Sequence, residues 1–370
     1  MTNTQTKYIL KLNEQIEEIS IVKEINNLQW IEKYRPTNLN EIISHVDIIK
    51  ALMKMIDNKN FPHLLLYGPS GTGKTSTIMA CARRLYGDFY KNMILELNGS
   101  DDRGINVVRE QIKDFAASKN VFSLLNKTID DKTYIEFKIV ILDEVDSMTT
   151  DAQFALRRMI ENYTKNVRFC LICNNEIKII DALKSRCQPI KFAPITNDLH
   201  IIKINEIIKN EKINIAEEAI KLIIEISNGD MRKSINILQS VYIIHNINKI
   251  NYTITKNDIY HQIGYLTDEE RETIYQSLYN KNLKLEEVIL EIEKIKIEYN
   301  ITTNEIMKDI IKSIATTTIL NKYNVIITNL GKIKIYDRLG LIEIYLSKTH
   351  NEEIILGDII SIVRSNITFK

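Results

Sequence analysis

The sequence predicts an α/β domain built on a parallel sheet, followed by a region that is helical throughout. Three observations predict it. Four short apolar runs, His63–Tyr67, Met93–Leu97, Ile139–Leu142 and Val167–Cys173, each lead into a residue suited to phosphate, metal or water: Gly68, Asn98, Asp143 and Asn174. The first run continues into Gly68-Pro-Ser-Gly-Thr-Gly-Lys-Thr75, the G-x-x-x-x-G-K-T spacing of a P-loop, and then into the helix formers of Ser76–Arg84. After Pro194 such runs stop, and apolar residues recur at helical spacing. Ligands of open parallel sheets bind outside the carboxyl ends of the strands, so these ends belong on one rim.

Composition bounds the class. A chain of 370 residues is long enough for about two or three domains. An apolar fraction of 44% and a charged fraction of 26% are those of an ordinary globular protein. The formal net charge of +1 excludes a free-standing nucleic-acid binder driven by bulk electrostatics, so such a contact must come from a local patch or a shared surface. The richness in Ile, Asn and Lys points to an AT-rich genome. Cys81, Cys170, Cys173 and Cys187 are expected to be buried free thiols of a reducing compartment. Cys170 and Cys173 form a C-x-x-C, but they lie in a strand-like run where positions three apart face opposite sides, which argues against zinc or redox use. No apolar run near the start resembles a signal peptide, and none is long enough to span a membrane.

Taken in order, residues 1–28 read as a polar leader. Trp30-Ile-Glu-Lys-Tyr-Arg-Pro36 is aromatic, basic and proline-terminated, and reads equally as the lining of a base pocket or as a solvated turn. Asn38 to Asn60 is helical in pattern, with Ile48, Ile49, Leu52, Met53 and Ile56 on one side. A helix is expected over Ile105–Ala117, a long polar surface loop over 118–137, and a helix over Asp151–Tyr163. Ile190–Phe192 is a candidate fifth strand. Residues 196–245 read as helices broken at Asn228-Gly-Asp230. From 255 onward, Leu285, Val288, Ile289, Ile292 and Ile295 mark one helical stripe and Leu339, Ile342 and Leu346 another, suiting either a packed bundle or an assembly surface.

The chemistry-bearing residues follow from the rim. The P-loop glycines let backbone N–H groups crowd phosphate oxygens at a helix N-terminus. Lys74 is expected to reach the β- and γ-phosphates of ATP, and Thr75 to ligate Mg²⁺. The expected nucleotide-binding positions are Gly68, Pro69, Ser70, Gly71, Thr72, Gly73, Lys74 and Thr75, with Ser76 after them. Asp143-Glu144 follows an apolar strand as a Walker B pair does. Asp143 is expected to hold Mg²⁺ through water, and Glu144 to orient and polarise the attacking water. Asn174 suits the γ-phosphate or the attacking water, and equally a turn. Arg232 opens a helix that Asp230 caps; a cation there works against the helix dipole, which hints at a use beyond the helix. Arg186, in Ser185-Arg186-Cys187, is either an arginine finger or a surface arginine.

With these residues in view, the chain resembles a small subunit of replication factor C, the AAA+ sliding-clamp loader of eukaryotes, archaea and some large DNA viruses. The resemblance runs from about Trp30 to Val241 through WIEKYRP, GPSGTGKTS, LNGSDDRGINVVREQI, ILDEVDSMTTDAQFALRR, SRC and GDMRKSIN. It implies an AAA+ P-loop ATPase domain over 29–194, a helical lid over 195–250 and a helical collar over 251–370 that joins subunits into a heteropentamer. It further implies that Ile31 and Arg35 contact the adenine nucleotide, that Asn174 and Arg232 are sensors 1 and 2, and that Arg186 acts on ATP held by a neighbouring subunit. Arg103 and Arg109 match basic residues that face duplex DNA. The implied partners are other loader subunits, a sliding clamp and primer–template DNA, with no membrane, in a nucleus or a viral replication compartment. The loop at 118–137 is longer than the family's and near the face expected to meet the clamp, and the stretch after about 250 matches only in helical character. Two rival readings are a ring subunit that binds ATP without turnover and another AAA+ machine such as a helicase loader or branch-migration motor. Intact Lys74, Asp143 and Glu144 argue against the first, and SDDRGI with SRC against the second.

Overall fold

The computed structural model describes residues 29–58, 60–100, 104–118, 137–247, 253–299, 301–346 and 352–369. The leader at 1–28, nearly all of the 118–137 loop and Arg103 lie outside these residues. The described residues form two compact units. One runs to Ile213 and resumes over Ile223–Gln239; the other holds Asn214–Leu222 and the chain from Ser240 onward.

The first unit is built on β1 (Leu64–Tyr67), β2 (Ile94–Asn98), β3 (Lys138–Asp143), β4 (Val167–Cys173) and β5 (Gln188–Lys191), in the order β2-β3-β4-β1-β5. Every pairing is parallel. The fifth strand begins two residues before the expected one. The inner strands β1, β3 and β4 are mostly apolar because both faces are covered, and their successive residues serve opposite cores, whereas the edge strand β5 is largely exposed. Leu64, Leu66, Ile139, Ile141, Cys170 and Ile172 join one core cluster. Leu65, Val140, Leu142, Phe169, Leu171 and Cys173 join the other. Cys170 and Cys173 therefore lie on opposite faces of β4. All four cysteines are buried free thiols, and burial pushes those of Cys81, Cys173 and Cys187 up to about 12.

Helices α1 (Trp30–Lys33), α2 (Val46–Asp57), α3 (Lys74–Tyr86), α4 (Tyr90–Met93), α5 (Gly104–Ala117), α6 (Thr150–Tyr163) and α7 (Asp181–Lys184) accompany this sheet. The helix expected from Asn38 to Asn60 is shorter. A 3-10 turn at Leu39–Glu41 precedes α2, and His45 between them takes a left-handed conformation, φ 62°, which an α-helix cannot continue through. Ile49, Leu52 and Ile56 of α2 are buried as the apolar stripe requires. Thr149 caps α6, its hydroxyl accepting from Ala152 N at 3.3 Å. At the far end of α5, the buried Lys138 Nζ donates to the carbonyls of Phe115 and Ser118, neutralising the helix C-terminus.

After Pro194 come α8 (Asn197–Glu211), α9 (Glu217–Ser227) and α10 (Met231–Ile247). The expected break at Asn228-Gly-Asp230 is present. A second one, missed from sequence, follows α8, where Lys212 turns left-handed at φ 55°.

The second unit contains α11 (Lys256–Ile263), α12 (Asp268–Leu278), α13 (Leu285–Glu298), α14 (Thr303–Ala315), α15 (Thr317–Lys322), α16 (Asn329–Leu346) and α17 (Glu352–Asn366). Its core gathers Val288 and Ile292 of α13, Ile306, Ile310 and Ile314 of α14, Leu339 and Ile342 of α16, and Ile359 and Val363 of α17. Leu285, counted with the α13 stripe, is exposed instead. The expectation that strands end at Pro194 is corrected here. β6 (Val325–Ile327) and β7 (Ile367–Phe369) pair antiparallel, with Ile326 opposite Thr368. Three-residue strands are too short to show a period of two, and these pair across a sequence separation no local pattern reports.

Candidate active site

The rim at the carboxyl ends of β1, β3 and β4 brings the P-loop, the Asp143-Glu144 pair and Asn174 together. The strand order is what does this: β4 lies between β1 and β3, so Asn174 falls between the P-loop and Asp143. The P-loop turns on glycines at positive φ. At Gly68, φ 142°, a Cβ would fall 2.0 Å from the Phe192 carbonyl oxygen, and at Gly71, φ 65°, 1.8 Å from Asp230 Oδ1. No side chain fits at either place.

Lys74 opens α3 and is buried. Its Nζ donates to the carbonyls of Gly68 and Pro69, both at 2.7 Å, and to Asn174 Oδ1 at 3.1 Å. Burial pushes this ammonium below its ordinary pKa; Asp143 opposes that shift and Arg232 adds to it. Thr75 Oγ1 donates to Asp143 Oδ2 at 2.8 Å, while Asp143 Oδ1 accepts from Glu144 N at 2.9 Å. A hydroxyl and a carboxylate oxygen side by side are the hard donors that Mg²⁺ takes, and Mg²⁺ is ordinarily held by one or two such groups with substrate phosphates. The pair therefore fits the ion. Glu144 itself is exposed and left-handed, φ 54°, and its carbonyl accepts from Ser147 N and Oγ. A non-glycine residue held there marks a strained position of the kind that gathers at functional sites.

Two residues missed in the sequence hold the rim together. Asp146 Oδ2 accepts from the backbone N of Asn174 at 3.3 Å and of Asn175 at 3.1 Å, tying the end of β4 to the turn after β3. Asp230, read only as a helix cap, does that and more. Its Oδ1 accepts from Lys233 N at 3.1 Å, and its Oδ2 accepts from Ser70 Oγ of the P-loop at 2.5 Å.

A cleft of about 430 Å³ opens from the P-loop. Gly71, Thr72, Gly73 and Ser76 line one part, Gln29, Ile31, Tyr34, Arg35 and Ile42–Ser44 another, and Lys203, Met231, Arg232 and Ile235 a third. Ile31, Arg35 and Arg232 are thus brought to the same cleft as the P-loop. Arg186 is not among the residues lining it. Its guanidinium holds Glu161 Oε1 at 2.6 Å and the Ala182 carbonyl at 2.7 Å on the α6–α7 surface. Arg109 is exposed on α5. Lys203 carries no motif, and Ile235 lies within GDMRKSIN with no role there legible in the sequence; their place in the fold brings both to the cleft.

Residues 64–195 match the ATPase family associated with various cellular activities (AAA), and residues 203–243 match the RCF1/5-like AAA+ ATPase lid domain. Over 338 residues the chain is 44% identical to the probable replication factor C subunit 5 of Dictyostelium discoideum, covering 91% of each chain. It is 44% identical to the Homo sapiens replication factor C subunit 5 over 75% of this chain and 81% of that one. The Arabidopsis thaliana subunit 5 is 41% identical over 90% and 85%. The chain belongs to the replication factor C small-subunit family. A solved Thermotoga maritima RuvB Holliday junction branch migration motor overlays with a TM-score of 0.48 at 14% identity, over 80% of this chain and 93% of that one, too distant to bear on function.

Membership of the replication factor C family gives the rim its AAA ATPase context. The cleft's third wall, from Lys203 to Ile235, falls inside the matched lid. No helix among the described residues is long and apolar enough to cross a membrane.

Proposed function

We propose that this chain is an ATP-hydrolysing subunit of a sliding-clamp loader, which helps open a ring clamp and place it on primer–template DNA. The observation that carries the reading is the joined rim, Lys74 on Asn174 and Thr75 on Asp143, together with the adjoining P-loop glycines that line a cleft shared with the lid. The P-loop backbone and Lys74 bind the triphosphate, and Ile31 and Arg35 receive the base. Thr75 and Asp143 hold Mg²⁺, which when bound neutralises charge on the phosphates. Glu144, exposed beside Asp143, takes the proton of the attacking water. Asn174 orients that water or the γ-phosphate, and Arg232 reports the γ-phosphate to the lid helix that it opens.

Arg186 lies away from this cleft on an exposed surface and serves the ATP of an adjacent subunit in a heteropentamer. Arg109, with Arg103, meets DNA phosphates. The helical unit beyond residue 250 serves as the collar, and the complex works in a nucleus or a viral replication compartment. The relatives' names and the intact Lys74, Asp143 and Glu144 support this reading over a non-hydrolysing ring subunit or another AAA+ DNA-remodelling ATPase.

The test is co-expression with candidate AAA+ partners and a ring clamp. The expected outcome is a pentamer whose ATP hydrolysis is raised by primer–template DNA and which transfers the clamp to it. An assembled complex that hydrolyses ATP and leaves the clamp off DNA would refute the loader reading.

A further inference from the structure

Within the segment Trp30–Pro36, Ile31, Glu32, Tyr34, Arg35 and Pro36 line the cleft. The segment is also fastened to two lid helices through Trp30, Lys33 and the Tyr34 hydroxyl. Trp30 N donates to Gln239 Oε1 of α10 at 3.1 Å. Lys33 Nζ and the Tyr34 hydroxyl both donate to one oxygen of Glu211, at 2.7 and 2.5 Å. Glu211 is the last residue of α8, and its side chain is 14% exposed. A carboxylate at a helix C-terminus opposes the macrodipole, so local helix energetics would not select it there. Two charge-assisted donors converging on one partly buried oxygen supply the compensation. Burial and that same carboxylate push the Tyr34 phenol well above its usual pKa, so it remains a donor at any working pH.

We propose that Glu211, with Gln239, is a positioning residue for the base end of the cleft: it fastens Trp30–Pro36 to the lid so that Ile31 and Arg35 stand where the base must sit. Through Glu211 the lid thereby carries one wall of the base pocket, while the phosphate end is held by the P-loop, which meets the lid at a separate contact, Ser70 on Asp230. The inference rests on the nucleotide reading above and goes beyond it, because Glu211 itself does not line the cleft. Its loss removes the ties at Lys33 and Tyr34, and the fraction of molecules with a formed base wall falls. The apparent affinity for anything held through the base falls by the same factor. A ligand held only by the P-loop is unaffected.

The experiment is calorimetric titration of the full chain with Mg²⁺ and either ATP or inorganic tripolyphosphate. In Glu211→Ala, ATP affinity is expected to fall about tenfold while tripolyphosphate affinity stays within about twofold. Glu211→Gln, whose amide oxygen still accepts from both donors, is expected to recover most of the loss. Equal losses for the two ligands would overturn the inference in favour of a general loosening of the P-loop. Unchanged ATP affinity, or no recovery in Glu211→Gln, would overturn it as well. Wild-type protein that binds neither ligand would refute the nucleotide reading instead.

Discussion

At the scale of the residue, the proposed function divides binding and turnover between Lys74 and Glu144. Lys74 is buried with three acceptors around its ammonium, two of them P-loop carbonyls. Glu144 is exposed, and its side chain takes no part in the Thr75–Asp143 contact. The two therefore fail differently. Lys74→Ala removes the cation that meets the phosphates and is expected to weaken ATP binding sharply by calorimetry. Glu144→Gln leaves that cation and both Mg²⁺ ligands in place. It is expected to bind ATP as the parent does, and to stop single-site turnover in a complex whose other sites are inactive. Undiminished turnover in Glu144→Gln would remove it from the role of base.

At the scale of the element, the loop between β1 and α3 and the N-terminus of α10 are built against each other. Gly71 must stay at positive φ, and Asp230 fills the space where its Cβ would be. Gly71→Ala is expected to destabilise the protein by about 1–3 kcal/mol and to lower ATP affinity, because the loop and the helix cap are both displaced. Adding Asp230→Gly should relieve the clash and leave the backbone strain, so denaturant unfolding of the double variant should recover only in part. Another element-level effect is pH-dependent. His63, just before β1, accepts from Phe169 N at its Nδ1, and its Nε2 faces Thr164 Oγ1 at 3.3 Å. Burial, aided by the Arg168 guanidinium, pushes it from an ordinary 6.5 down to about 4. The folded state therefore holds a neutral ring while the unfolded chain takes up a proton below pH 6.5. The stabilisation is present above 6.5 and is lost as pH falls toward 4. Urea midpoints of the parent are expected to drop more steeply over that window than those of His63→Gln. Parallel profiles would contradict the assignment.

At the scale of the whole molecule, Arg186 and Arg109 are exposed, and the proposed function assigns them to an assembly. Arg186 is bonded to Glu161 on the surface, and an exposed pair of this kind is worth at most about 1 kcal/mol. Arg186→Ala should therefore fold normally and keep this chain's own ATP affinity. Turnover at the neighbouring subunit's site is expected to fall by about 10³-fold or more, the scale of a lost arginine finger. Loss confined to this chain's own site would mean action in cis. A near-neutral chain offers no general basic field, so the proposed DNA contacts must rest on local cations. Replacing Arg103 and Arg109 by Ala should weaken DNA binding of the ATP-loaded complex alike for two unrelated primer–template sequences. The salt slope should fall by roughly one unit per lost contact. An unchanged slope would rule out phosphate contacts.

What the sequence by itself determined is the α/β core and the kind of chemistry on its rim. Short, mainly apolar runs leading into Gly68, Asn98, Asp143 and Asn174, with Ile139–Leu142 apolar at every position, announce parallel strands with a ligand edge, because a strand covered on both faces is apolar along its length. P-loop spacing is local, and so are the stripes of α2, α13 and α16. What only the tertiary structure decided is which distant residues meet. Asn174 stands beside Lys74 because β4 lies between β1 and β3. Asp146 ties down the β4 end, Asp230 reaches Ser70, and Lys203 and Ile235 enter the cleft, none of which a local pattern marks. The pairing of Val325–Ile327 with Ile367–Phe369 was hidden for the same reason. Glu211 shows the limit most clearly. Within its own helix it is a misplaced charge, and the donors that explain it, Lys33 and Tyr34, lie nearly half the chain away. A hydrogen bond depends on separation in space, and sequence patterns report separation along the chain.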